Sequence, residues 1–181
     1  MKAKIGGFQG RKLEKGDQIG FRAPVKSLSH MEDRHIPPEF SPRPVYVLRV
    51  VLGPQDDAFT SAGIDTFLSG TYTVTPEFDR MGCRLDGPVI AHKDGGDIIS
   101  DGIAFGAIQV PSAGTPIIML GDRQTTGGYT KIATVITADF RILAQLKAGD
   151  KVQFVKVPVE HAQNLLLAQR RALKALSKIN A

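Results

Sequence analysis

Residues 116–136 read PIIMLGDRQTTGGYTKIATVI, and this stretch constrains the fold more than any other part of the chain. An apolar run, Ile117 to Leu120, breaks at Gly-Asp-Arg-Gln; a β-branched run, Ile132 to Ile136, follows Thr125-Thr126-Gly127-Gly128. Runs this short, bounded by glycine and rich in branched side chains, fit buried strands on either side of a turn. The turn holds Asp122, Arg123, Gln124, Thr125, Thr126, Tyr129 and Lys131, more hydrogen-bonding groups than a connection requires. Gly127-Gly128 is expected to let the backbone approach a ligand closely and to adopt positive φ. From pattern alone the stretch is either a satisfied hairpin with an internal Asp–Arg pair or a binding element.

The same punctuation recurs along the chain. Val45 to Leu52 (VYVLRVVL), Tyr72 to Val74, Arg84-Leu85, Ile98-Ile99, Ala107 to Val110 and Val152 to Val157 read as further strands. Phe59 to Leu68 reads as a short helix, and Thr137 as the N-cap of another running through Leu146. Pro158 opens a last helix, Val159 to Ile179, whose alanines and leucines fall at helical spacing. Many short strands broken by glycine and proline, with few helices, predict a mainly β fold: a barrel with peripheral helices and a C-terminal helix. Leu13 to Ile19 (LEKGDQI) echoes Leu146 to Val152 (LKAGDKV), so two equivalent glycine turns should each feed a strand. The expected organisation is a remnant of a preceding subdomain over 1–22, a proline-rich linker over 23–44, the barrel over 45–157 and the helix over 158–181.

The chain of 181 residues is long enough to bury a real core. No apolar run approaches the roughly 18 residues of a membrane span, and the basic start has no apolar signal core. With the single cysteine, Cys83, these features make cytoplasm the expected location. The net charge of +5 permits an acidic partner, but tryptophan is absent and aromatics are only 7%, which argues against a base-stacking surface. Neither nucleic acid nor membrane is an expected partner.

No phosphate-binding, dinucleotide, metalloprotease or nucleophile-elbow motif occurs. His30-Met31-Glu32-Asp33-Arg34-His35 gathers potential metal ligands, but its histidine spacing suits neither a helix face nor a finger, and no metal is expected. Pro76 to Gly87 packs three acids around Arg80 and Arg84, which either clamp an anion or pair with Asp79 and Asp86. Gln109 stands alone in an apolar strand and needs partners, as structural glue or as a ligand contact. Cys83 reads as inert core.

Three stretches, GGFQGRKLEKGD (Gly6 to Asp17), DRMGCRLDGP (Asp79 to Pro88) and ISDGIAFGAIQVPSAGTPIIMLGDRQTTGGYTKIATV (Ile98 to Val135), resemble the biotin-dependent carboxyltransferase family. That family takes in the C subunit of 5-oxoprolinase, also described as allophanate hydrolase subunit 2 or as the antagonist of the Kip kinase inhibitor, and the carboxyltransferase region of urea amidolyase. The resemblance runs from Gly6 to about Phe154 and implies a cyclophilin-like β-barrel, with a related half expected to precede this one. Phe105 and Thr130 stand where the family often has proline, and Cys83 where an aromatic or aliphatic residue is common.

The resemblance implies a subunit of an ATP-dependent 5-oxoprolinase that opens a lactam to give glutamate, working with a Kip-inhibitor-like subunit and a separate lactam-opening subunit. ATP would be used by a partner subunit, with no cofactor bound by this chain. Two alternatives are carboxyl transfer from carboxybiotin to a urea-like amide, and a non-catalytic regulator binding a Kip-type inhibitor. The expected catalytic set is Asp79, Arg80, Asp122, Arg123 and Lys131. The expected substrate-binding set is Arg84, Gln109, Gln124, Thr125, Thr126, Gly127, Gly128 and Tyr129.

Overall fold

The structure is a computed structural model and describes residues 7–20 and 42–179, with side chains as far as residue 175. Most of the expected linker over 23–44, and the His30 to His35 cluster, lie outside the described residues. The backbone divides into two units, Met1–Glu39 and Phe40–Ala181.

The second unit holds eight strands: β1 (Tyr46–Leu52), β2 (Tyr72–Phe78), β3 (Gly82–Asp86), β4 (Asp97–Gly102), β5 (Ala107–Val110), β6 (Ile117–Met119), β7 (Thr126–Val135) and β8 (Lys151–Lys156). Three helices accompany them: α1 (Ser61–Ser69), α2 (Phe140–Leu143) and α3 (Val159–Ile179). The strands run β1-β8-β2-β3-β6-β5-β7, and a further β1–β7 pairing closes a seven-stranded barrel. Only β1–β8 is parallel among the barrel pairs, so the barrel is mixed. The expectation of a mainly β barrel with few helices and a C-terminal helix is borne out.

Alternation fills the interior. Leu48 and Val50 of β1, Val74 of β2, Cys83 and Leu85 of β3, Ile108 of β5, Ile118 of β6 and Phe154 of β8 are buried in one core. Phe67 of α1 stacks on Phe154 with ring centroids 4.5 Å apart, which seats that helix on β8. The Tyr72 hydroxyl donates to the Thr66 carbonyl at 3.2 Å, and burial pushes its pKa up to about 12. Burial raises the Cys83 thiol likewise to about 12, in keeping with an inert core cysteine.

The two glycine turns have the same geometry. Asp17 Oδ2 accepts from the Glu14 N–H at 2.7 Å, and Asp150 Oδ2 from the Lys147 N–H at 2.9 Å. In each turn the aspartate N–H donates back to the carbonyl three residues earlier, and Gly16 and Gly149 sit at φ +101 and +90. The sequence echo is thus one turn built twice. At the second copy the strand that follows is β8; residues 18–20 after the first form no strand.

Helix boundaries shift from the expected ones. Thr60, not Phe59, heads α1, and its hydroxyl accepts from the Gly63 N–H at 2.9 Å. Thr137 caps nothing with its side chain, because the chain enters a 3-10 turn, Thr137–Asp139, before the single turn of α2. Asp139 explains that tightness. It is fully buried, its Oδ2 accepts from Arg49 N–H at 2.8 Å and Arg49 Nε at 3.0 Å, and its Oδ1 pairs with Arg49 Nη2. This clamp fixes the turn against β1, and its hydrogen bonds raise the Arg49 pKa above the ordinary value.

Candidate functional site

A groove of about 540 Å³ crosses the outer face of the barrel over β3, β6, β5 and β7. Its position follows from strand alternation. On β3, Cys83 and Leu85 face the core and Arg84 faces out; on β6, Ile118 faces in while Ile117 and Met119 face out. Registers then align one outward row across four strands: Arg84 opposite Ile117, Ile117 opposite Gln109, and Gln109 opposite Lys131. Phe78 at the end of β2 and Asp79 and Met81 of the β2–β3 connection also line it, as do Gln124 and Tyr129.

Two members of this row are buried although their strand positions face outward. Gln109 is 4% exposed and Lys131 is 2% exposed. β7 is shared between two layers, with Thr130 to Thr134 against β5 and Thr126 to Tyr129 against β4. A Cβ added at Gly127 would stand 2.7 Å from Ile103 Cδ1 and 3.0 Å from Gln109 Nε2. The absence of a side chain at 127 therefore leaves the space that Ile103 and the Gln109 amide occupy. Among the described residues, the buried side-chain nitrogens without a hydrogen-bond partner are Gln109 Nε2 and Lys131 Nζ, which belong to cross-strand neighbours. An unmet buried donor costs about 1–3 kcal/mol, so the pair marks where an acceptor is wanted.

Lys131 is not left without charge compensation. Its Nζ lies 3.1 Å from Asp101 Oδ2, close enough for an ion pair although not aligned as a hydrogen bond. The Lys131 ammonium, the Gly102 N–H at 2.7 Å and the Gln55 amide at 3.1 Å together hold the Asp101 carboxyl below the usual carboxylate range. Gln55 and Asp101, which sequence reasoning did not single out, adjoin Lys131 of the candidate site. Asp101 lies within the Ile98 to Val135 stretch, but only the β4–β7 pairing brings it to Lys131.

The remaining expected residues separate into groups. Asp79, Arg84, Gln109, Gln124 and Tyr129 line the groove. Asp79 caps its own turn, its Oδ1 accepting from Met81 N–H at 2.7 Å and Gly82 N–H at 3.1 Å. Arg84 Nε pairs with Glu77 Oε2 at 3.0 Å, both side chains being exposed, rather than with Asp86. Arg80 Nε meets Asp122 Oδ2 at 2.9 Å, so Asp122 pairs with Arg80 and not, as the hairpin reading had it, with Arg123. Arg123 instead donates from Nε to the Ile103 carbonyl at 2.9 Å and lies 6.0 Å over the Phe105 ring. These contacts fasten the 120s loop to the segment after β4. Thr125 accepts the Ile103 N–H through its carbonyl at 2.9 Å, and Thr126 opens β7 opposite Gly102; both threonines are exposed. Gly127 and Gly128 lie within β7 and are absent from the glycines at positive φ, a correction to the turn reading. Their role is close approach, a Cβ at 128 falling 3.2 Å from the Ile98 carbonyl oxygen. Among the described residues no group of histidine, cysteine or carboxylate side chains could hold a metal ion.

The carboxyltransferase domain, subdomain A and B, matches residues 1–156. The chain belongs to this carboxyltransferase domain family. It is 35% identical over 168 residues to the C subunit of the 5-oxoprolinase of Haemophilus influenzae, covering 91% of this chain and 52% of that protein. Against the corresponding C subunit of Escherichia coli it is 32% identical over 177 residues, covering 98% and 56%. The chain thus spans about half the length of these curated relatives. Among solved structures, the K. lactis urea amidolyase superposes with a TM-score of 0.69 at 27% identity, over 75% of this chain and 9% of that one.

Proposed function

We propose that this carboxyltransferase-domain chain is a component like the C subunit of an ATP-dependent 5-oxoprolinase, and that its outer-face groove holds the anionic or amide substrate or an intermediate derived from it. The observation that carries the reading is the buried, acceptor-less Gln109 Nε2 at the groove, in one row with Arg84 and beside Lys131. A planar amide carbonyl supplies the acceptor that Gln109 lacks. Arg84 offers a guanidinium to a carboxylate, since its present partner Glu77 is solvent-exposed and such a pair is weak enough to exchange. Met81, Ile117 and Met119 give the ligand's carbon skeleton an apolar floor. The chain supplies binding and orientation by fixed dipoles; ATP chemistry and lactam opening belong to its partners, a lactam-opening subunit and a Kip-inhibitor-like one.

The test is reconstitution of the full chain with such subunits from one bacterial source, followed by glutamate release from 5-oxoproline with ATP. Gln109→Leu should lower turnover by about 10- to 100-fold, as expected for losing one to two hydrogen bonds to a charged or polarised group. Retention of full turnover by both Gln109→Leu and Arg84→Ala would remove the groove from the site. The superposition on urea amidolyase supports a second reading, carboxyl transfer to a urea-like amide. In that case turnover requires carboxybiotin, and 5-oxoproline with ATP gives none.

A further inference from the structure

The loop between β1 and the turn before α1 carries Gln55, whose side-chain hydrogen bonds converge on Lys131 and Asp101. Gly53 N–H donates to the Ile132 carbonyl at 2.9 Å and Gln55 N–H to the Lys131 carbonyl at 3.1 Å, zipping the loop to β7. The Gln55 side chain then works in both directions. Its Oε1 accepts the Lys131 N–H at 3.1 Å, and its Nε2 donates to Asp101 Oδ2 at 3.1 Å. Only one orientation of the amide satisfies both contacts, since reversing it would face N–H against N–H and oxygen against oxygen.

Asp101 sits on β4, whose other edge is unpaired among the described residues, and its carboxylate is half-exposed. Held by β4 alone, it would be free to turn to solvent. Gly102 N–H fixes Oδ1, while Gln55 Nε2 fixes the Oδ2 that meets the Lys131 ammonium. Among the described residues Asp101 is the acid within 4.0 Å of Lys131 Nζ, and Asp56 and Asp57 follow Gln55 in the 3-10 turn packed near β7.

We propose that Gln55 is a positioning residue for Lys131: it orients the Asp101 carboxylate against the buried ammonium and, through the backbone, sets β7 at that residue. The inference rests on the proposed function only for the use made of Lys131; the arrangement itself is tested without substrate.

The experiment is a two-by-two set of the full chain (wild type, Gln55→Leu, Asp101→Asn and the double variant), treated with acetic anhydride, with acetylation of Lys131 followed by mass spectrometry against exposed lysines. Asp101→Asn should speed Lys131 acetylation about tenfold, the change expected for loss of one adjacent opposite charge. Gln55→Leu should speed it in the same direction, and adding it to Asp101→Asn should give little further change because both act through one carboxylate. Equal acceleration by Gln55→Leu in both backgrounds, or none in either, overturns the proposal. A measurement on the unaltered chain covers the case where Gln55→Leu does not fold. The Gln55 side-chain amide protons should shift as Asp101 titrates in acid, and a flat profile would also overturn it. Failure here leaves the groove reading standing, and loss of turnover without any change in acetylation would separate the two the other way.

Discussion

At the scale of single residues, Gln109 separates stability from use. Its amide is buried with an unmet donor, so an apolar replacement removes a penalty while filling similar space. Gln109→Leu should leave stability unchanged or raise it by about 1 kcal/mol in urea unfolding, even as ligand binding falls. A marked loss of stability would mean that the amide has a structural partner. Asp101 gives a pH signature with a definite sign. Its folded pKa lies below the usual carboxylate range, so its contribution is present above that range and is lost as pH falls through the lowered folded value. Asp101→Asn should therefore lower the urea midpoint by the same amount at neutral and alkaline pH, with the difference from wild type vanishing in acid. Cys83, with its thiol pushed to about 12, should resist thiol reagents at pH 8 until the chain unfolds.

At the scale of elements, α1 shows a local preference overruled by packing. Alanine is favoured over glycine in a helix interior by about 1 kcal/mol, yet a Cβ at Gly63 would fall 2.3 Å from the Ala91 carbonyl oxygen. That oxygen also accepts from Thr60 N–H at 3.1 Å and sits against the cap. Gly63→Ala should destabilise by about 1–3 kcal/mol, visible as a lower urea midpoint at unchanged slope. Strands were legible because branched runs and glycine stops are local signals, and each run expected within 45–157 overlaps a strand. β7 was the misjudged element. Its glycines and polar residues suggested a turn, but Thr126 to Tyr129 extends the strand by pairing with β4, a partner distant in sequence. The short helices were placed a few residues off because tertiary contacts, the Asp139 clamp above all, set where they begin.

At the scale of the whole second unit, closure of the barrel depends on β1 pairing with both β7 and β8. The Asp139 carboxylate, fully buried and held by Arg49 of β1, braces that seam. Asp139→Ala should cost about 2–4 kcal/mol, since it leaves the Arg49 N–H and a part-buried guanidinium unmet; Arg49→Ala with it should cost less than the sum of the two single changes. The sequence by itself determined the family, the mainly β class, the strand runs and the paired glycine-aspartate turns. It also placed Gln109 and Lys131 among the residues to watch. Those properties reside in neighbouring residues, where spacing and backbone preference act directly. Tertiary structure alone decided strand order, the outward row from Arg84 to Lys131, the arginine partners and the Gln55–Asp101–Lys131 contact. Gln55 stands 46 residues from Asp101 and 76 from Lys131. No local pattern records such pairings, because the burial and hydrogen bonding that select them exist only once the barrel has closed.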